Sequence, residues 1–131
     1  PLSTIIRHKK LLEDTQVIEG YLYRLNHYLL GLTPFRLVIS VRGNSPELRE
    51  EIFNFAKKSR WVTSMIDSIG NWDYVLGVDT HDHLRLSEVR EDLLRHFGTR
   101  IFSMGSFVVY RMLKQHQYCF EDTAQAASVS A

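Results

Sequence analysis

From Phe35 onward the chain switches between two hydrophobic periods in a set order, and that order leaves few folds open. Phe35, Leu37, Ile39 and Val41 alternate with Arg36, Val38, Ser40 and Arg42, the period of a strand. Gly43-Asn44-Ser45 marks a turn. Ser45-Pro46 then opens a helix, with a capping hydroxyl ahead of a proline that has no N–H to leave unpaired. Leu48, Ile52, Phe55 and Ala56 form that helix's buried stripe. Residues 61–69 and 72–78 are two alternating runs around Gly70-Asn71, a tight-turn signal, so they pair as a hairpin with Trp72, Tyr74, Leu76 and Val78 on one face. Thr80 or Asp82 caps a second helix whose apolar side is Leu86, Val89, Leu93 and Phe97, and Gly98 stands where a helix-ending glycine belongs. A last strand covers about residues 100–113.

The order β-α-β-β-α-β is the split βαβ, or ferredoxin-like, arrangement of the α+β class. It predicts a four-stranded antiparallel sheet with two helices on one face. The other face of such a sheet is polar in a monomer. Here the last strand carries Phe107 and Val109 on one side and Val108, Tyr110 and Met112 on the other. That apolar surplus points to a second subunit packed on the open face. The alternative cover is the tail or the segment 17–25 of the same chain.

Two elements precede this unit. Residues 3–14 read as a short helix capped by Ser3 or Thr4, with Ile5, Ile6 and Leu12 on a narrow apolar face. Alone, a helix of this length is marginal in water. In residues 17–25, Tyr21, Tyr23 and Leu25 alternate with Gly20, Leu22 and Arg24, which reads as a strand before the Gly31–Pro34 break.

Composition narrows the function classes. A chain of 131 residues with 44% hydrophobic and 24% charged residues holds one domain with a sizeable core, plus a fragment of a second. A net charge of +1 creates no whole-chain field for nucleic acid, so any DNA contact must come from a local cluster. The single cysteine, Cys119, excludes an internal disulfide and fits a reducing cytoplasm. No apolar run approaches the roughly 20 residues that span a bilayer, so no membrane role is expected. Pro1-Leu2-Ser3-Thr4 lacks a signal-peptide pattern and an initiator Met, which reads as a trimmed end. The small, polar tail within 116–131 is expected to be poorly ordered.

Four landmarks in register resemble the effector domain of the leucine-responsive/AsnC (feast/famine) transcription regulators. Ser64 to Val78 follows that family's central pattern of a strand, then Gly, Asp, an aromatic, Asp and Tyr, then an aliphatic strand; here Asn71 replaces the first Asp and Trp72 is the aromatic. Val17-Ile18-Glu19-Gly20-Tyr21 is similar to its Val-Ile-x-Gly-Tyr opening strand, and Leu30-Gly31 to the Leu-Gly before its first core strand. Ser106-Phe107-Val108-Val109 with Lys114 is similar to its closing strand, which more often begins with Thr. The resemblance implies residues 1–16 as a remnant of the helix-turn-helix and 17–33 as a linker strand. It implies 34–115 as the ferredoxin-like effector-binding and oligomerisation domain, ahead of the tail at 116–131. It further implies homodimers joined through their sheets, often assembled into octamers, and a small effector, usually an amino acid, bound between dimers. No cofactor is implied.

The resemblance also assigns residues. Gly70, Asn71, Trp72, Asp73 and Tyr74, with Ser106 as a hydroxyl neighbour, become the effector site. A zwitterion needs both donors and acceptors, and a hairpin with polar side chains offers both. The plainer reading is that Asn71 only tolerates the turn and Asp73 is only solvated. Arg7, His8, Lys9 and Lys10 become the DNA contacts of a recognition helix, against the plainer reading of a solvated helix face. Gln16 stands where the family prefers a helix-ending Gly. The other helices of the DNA-binding head do not occur in the sequence, so DNA binding is expected only of an intact parent protein.

Two rival chemistries fare worse. His81 and His83 lie two apart near Asp79 and Asp82, a spacing that serves a metal on an extended segment, but no second pair accompanies them and they read as a polar helix start. His116 and Cys119 are equally unsupported as ligands. Haem-pathway (siroheme) decarboxylases share the head-plus-ferredoxin layout, but their corresponding hairpin is His- and Asn-rich, whereas Asp67-Ser68-Ile69-Gly70-Asn71-Trp72-Asp73 is acidic and has no His. With no nucleophile–base pair, P-loop or dinucleotide motif in the sequence, the chain reads as a non-enzyme. The remaining alternative is a stand-alone effector-domain protein without DNA binding, against which the recognition-like helix argues.

Overall fold

The computed structural model describes residues 1–115. It contains α1 (Leu2–Asp14), β1 (Thr33–Val41), α2 (Pro46–Lys58), β2 (Val62–Asp67), β3 (Tyr74–Thr80), α3 (His83–Phe97), a single 3-10 turn (Gly98–Arg100) and β4 (Ile101–Val108). The sheet order is β2-β3-β1-β4 and every pairing is antiparallel. This is the α+β ferredoxin-like arrangement expected from the order of hydrophobic periods.

The helix boundaries follow from local chemistry. Ser45 takes an extended conformation and its hydroxyl accepts from the Leu48 N–H at 3.2 Å, with Pro46 as the first helical residue of α2. Of the two candidate caps for α3, Asp82 does the work: its carboxylate accepts from the Arg85 N–H at 3.0 Å. Thr80 is instead fully buried, donating to the Asp82 carbonyl at 2.7 Å. Gly98 ends α3 with φ +54°, a left-handed conformation that glycine adopts without strain.

The core lies between one sheet face and the two covering helices. Phe35, Leu37 and Ile39 of β1 and Tyr74, Leu76 and Val78 of β3 pack with Leu48, Ile52 and Ala56 of α2 and Leu86, Val89, Leu93 and Phe97 of α3. Residues directly opposite in an antiparallel ladder share a face, so the register also defines the uncovered face. One row across it reads Ile66, Val75, Val38, Gly105, and the next reads Ser64, Gly77, Arg36, Phe107. A Cβ on Gly77 would lie 2.3 Å from Ser64 Oγ, so a larger residue there would force the Ser64 hydroxyl aside. Ile66 and Phe107 are exposed, and Val38 and Val75 are half-buried. Val108 stands opposite Phe35 and belongs to the helix-side face, so Phe107 is the β4 side chain that marks the open one.

Four expectations need correction. Residues 17–25 form no strand; they run without a ladder, with Leu22 at 99% and Tyr23 at 98% exposure. Alternation prepares a segment for a sheet, but a strand exists only where a neighbouring edge supplies partners. The cap of α1 is Pro1, without a side-chain hydrogen bond, rather than Ser3 or Thr4. β3 begins at Tyr74, which leaves Trp72 in the turn and 40% exposed while Tyr74 is fully buried. β4 stops at Val108, because β1 begins at Thr33 and offers only one more bond, from the Val109 N–H to the Pro34 carbonyl at 2.8 Å. The tail with His116 and Cys119 lies outside the described residues.

Candidate functional site

The β2–β3 hairpin is anchored at the far end of β1. The Asp73 N–H donates to the Ile39 carbonyl at 2.9 Å, and the Ser68 N–H donates to the Asp73 carbonyl at 2.8 Å. The Ser40 hydroxyl donates to the Asn71 carbonyl at 3.1 Å. Gly70, at φ +150°, supplies a backbone conformation that L side chains rarely adopt.

Asp73 has a defined structural duty. Its Oδ2 accepts from the Val41 N–H at 2.8 Å, and its Oδ1 accepts from Asn44 Nδ2 at 3.4 Å. The carboxylate thus closes the end of β1, where the ladder with β4 shifts register between Ser40 and Val41. The plainer sequence reading of Asp73 as a merely solvated turn residue is therefore incorrect. Tyr74 points into the core side and its hydroxyl donates to Asn44 Oδ1. Burial first, and the negative charge of Asp67 second, push the Tyr74 phenol above its ordinary pKa.

What the hairpin tip leaves free is mainly donors. Among the described residues, the backbone N–H groups of Gly70, Asn71 and Trp72 meet no acceptor within the chain. Ser106 is not brought to this tip; it faces Leu37 on the edge strand β4, whereas the tip lies beyond Ile39.

The basic cluster lies on α1, where Arg7, His8, Lys9 and Lys10 are all exposed. Lys9 is 3.5 Å from Glu13 and sits over the Tyr21 ring at 5.0 Å. The Tyr21 hydroxyl donates to Glu13, and this bond, ahead of the Lys9 charge, holds the Glu13 carboxyl below the usual range. Gln16 ends this arm with φ +56°, the left-handed conformation that explains why glycine suits the position. His81 and His83 go to different neighbours: His81 Nδ1 lies 3.2 Å from the Gly31 carbonyl, and the His83 ring meets Phe35 edge-on at 5.1 Å. Among the described residues no three His, Cys, Asp or Glu side chains gather as metal ligands, and no helix is long and apolar enough to cross a membrane.

Sequence reasoning missed a second concavity, at the opposite end of β3 from the hairpin. Its volume is about 400 Å³, and it lies between the linker residues Tyr23, Leu25, His27, Leu30 and Leu32 and the sheet-end residues Arg60, Trp61, Thr63 and Asp79. No local signal joins His27 to Asp79; a compact turn does, in which the Leu30 and Leu32 N–H groups both donate to the His27 carbonyl.

No family model matches the sequence, and no curated protein does. Solved structures do match in fold. A transcriptional regulator of Neisseria meningitidis, in complex with L-methionine, is similar with a TM-score of 0.73 at 23% identity, over 88% of this chain and 74% of that one. An AsnC-family transcriptional regulator from Agrobacterium tumefaciens gives 0.69 at 16% identity, over 86% and 72%. The feast or famine regulatory protein of M. tuberculosis, complexed with L-methionine, gives 0.63 at 20% identity, over 90% and 78%. At these identities the likeness is one of fold.

Proposed function

We propose that this chain is the effector-sensing, self-associating part of a transcription regulator of the leucine-responsive/AsnC type, and that it is not an enzyme. The observation that carries the reading is the fold likeness over most of the chain to regulators of that name, two of them holding L-methionine. The effector is a small molecule of the amino-acid class, bound at the Gly70–Tyr74 hairpin. The free N–H groups of Gly70, Asn71 and Trp72 suit its carboxylate. Asp73 acts chiefly by holding the hairpin against β1, and Ser106 enters only if another subunit brings it there. Arg7 to Lys10 serve DNA in the intact protein, and 1–16, 17–33 and 34–115 divide the chain into head remnant, linker and effector domain.

The same reading makes the protein at least a homodimer through the face marked by Ile66, Val75, Val38 and Phe107. Contiguous apolar surface of this kind is a liability in a monomer and an asset at an interface.

A thermal-shift screen of the twenty amino acids tests the sensing role, because a ligand that binds only the folded state raises the unfolding midpoint. At least one amino acid should raise it, with the N–H cross-peaks of Gly70 to Trp72 moving in NMR. If none raises it, the sensing reading fails. Light scattering at micromolar concentration should give a mass well above the 15.3 kDa of one chain.

A further inference from the structure

Asp79 is 8% exposed, and its two carboxylate oxygens are unequally served. Oδ2 lies 3.4 Å from His27 Nδ1, whereas Oδ1 is shielded from solvent and has no hydrogen-bond partner among the described residues. A buried acceptor without a donor is costly, and more so when it belongs to a charged group. Asp79 lines the cavity of about 400 Å³ whose other walls include Trp61, Leu25, Leu30 and Leu32. His27 lies on the linker turn with its side chain 40% exposed, and it forms the wall beside the carboxylate. Arg60 also lines the cavity, but it is solvent-exposed and stacked over the Trp61 ring at 4.7 Å. Water screens its charge more than it screens that of the buried Asp79.

We infer that this cavity is a second ligand site, for a small primary ammonium compound with an apolar body. The ammonium brings three donors to the Asp79 carboxylate, taking the place of the His27 ring at Oδ2 and serving the unpartnered Oδ1, and the body packs on Trp61 and the linker leucines. The linker turn forms one wall, so occupancy stiffens the joint between α1 and the sheet.

The test is calorimetric titration of the full chain with isopentylamine, with isovalerate as the anionic control, and with the Trp61 indole N–H followed by NMR. The amine should bind and shift the Trp61 signal, and isovalerate should do neither. Asp79→Asn should weaken the amine at least tenfold. Leu30→Trp, which adds bulk to the cavity wall and leaves the Asp79 residue itself unaltered, should weaken it as well and guards against a folding defect in the first variant. Equal binding by wild type and both variants, or no binding at millimolar amine, overturns the site. A fall in assembly mass on Asp79→Asn without any effect of the amine also overturns it, and gives Oδ1 to a second copy of the chain. The amine has no carboxylate for the hairpin N–H groups, so its failure leaves the amino-acid reading standing, and failure of the amino-acid screen leaves this site standing.

Discussion

Tyr21-Leu22-Tyr23-Arg24-Leu25 and Phe35-Arg36-Leu37-Val38-Ile39 are alike as sequence, but their fates differ. The second is the central strand β1, with Phe35, Leu37 and Ile39 almost fully buried and both edges paired. The first has no ladder and is exposed, as is most of the arm before it: no residue of 1–32 is buried. The difference lies in what surrounds each segment. β1 has β3 on one side, returned by the hairpin from β2, and β4 on the other, delivered by α3. Among the described residues the arm meets no sheet edge, and its apolar side chains stay largely exposed. Alternation, then, predicts readiness to pair; topology decides whether pairing happens.

The strongest test of that contrast is a pair of truncations. Leu93→Ala, at a fully buried site, should cost about 2–5 kcal/mol of stability through lost burial and the cavity left behind. Leu22→Ala, at a site 99% exposed, should cost no more than about 0.5 kcal/mol in a single chain. Denaturant unfolding at several protein concentrations measures both. A large, concentration-dependent effect of Leu22→Ala would show that the arm is covered by another copy, and the contrast would then belong to the isolated chain alone.

Val38→Asp sharpens the comparison from the sheet's open face. Val38 is half-buried between Val75 and Gly105 in the apolar row. A carboxylate there remains solvated in a monomer but is costly at a dry interface. The variant should lose assembly mass by light scattering while keeping its far-ultraviolet circular dichroism. Unchanged mass would move the interface elsewhere.

A smaller effect is expected at the hairpin. Asp73→Ala removes the acceptor for the Val41 N–H and should cost about 1–2 kcal/mol, with hydrogen-exchange protection lost first at Val41. A cost below about 0.5 kcal/mol would return Asp73 to the class of solvated turn residues and free its carboxylate for an effector's ammonium.

The smallest effect belongs to the arm. Gln16 holds φ +56°, where a side chain costs on the order of 1 kcal/mol relative to glycine. Gln16→Gly should raise the helicity of α1 slightly, read by circular dichroism, and leave the core's unfolding midpoint unchanged. A shift in that midpoint would mean that arm and core unfold together.

Much of the fold was legible because its signals are local. Ser45-Pro46, Asp82, Gly98 and the Gly70-Asn71 turn each act through atoms within a few residues, so the sequence alone placed the start of α2, the end of α3 and the hairpin turn, and narrowed the cap of α3 to two residues. The stripes Leu48–Ile52–Phe55–Ala56, with Phe55 only half-buried, and Leu86–Val89–Leu93–Phe97 likewise predicted which helix faces turn to the core. The hairpin could be picked out as a candidate site, but the duty of Asp73 could not, because Val41 and Asn44 reach it only through the pairing of β3 with β1. Tertiary structure alone decided that residues 17–25 stay outside the sheet, that Phe107 rather than Val108 marks the open face, and that His27 meets Asp79 over a cavity. Each of these depends on which segments become neighbours, and a neighbour distant in the chain leaves no mark on the local sequence.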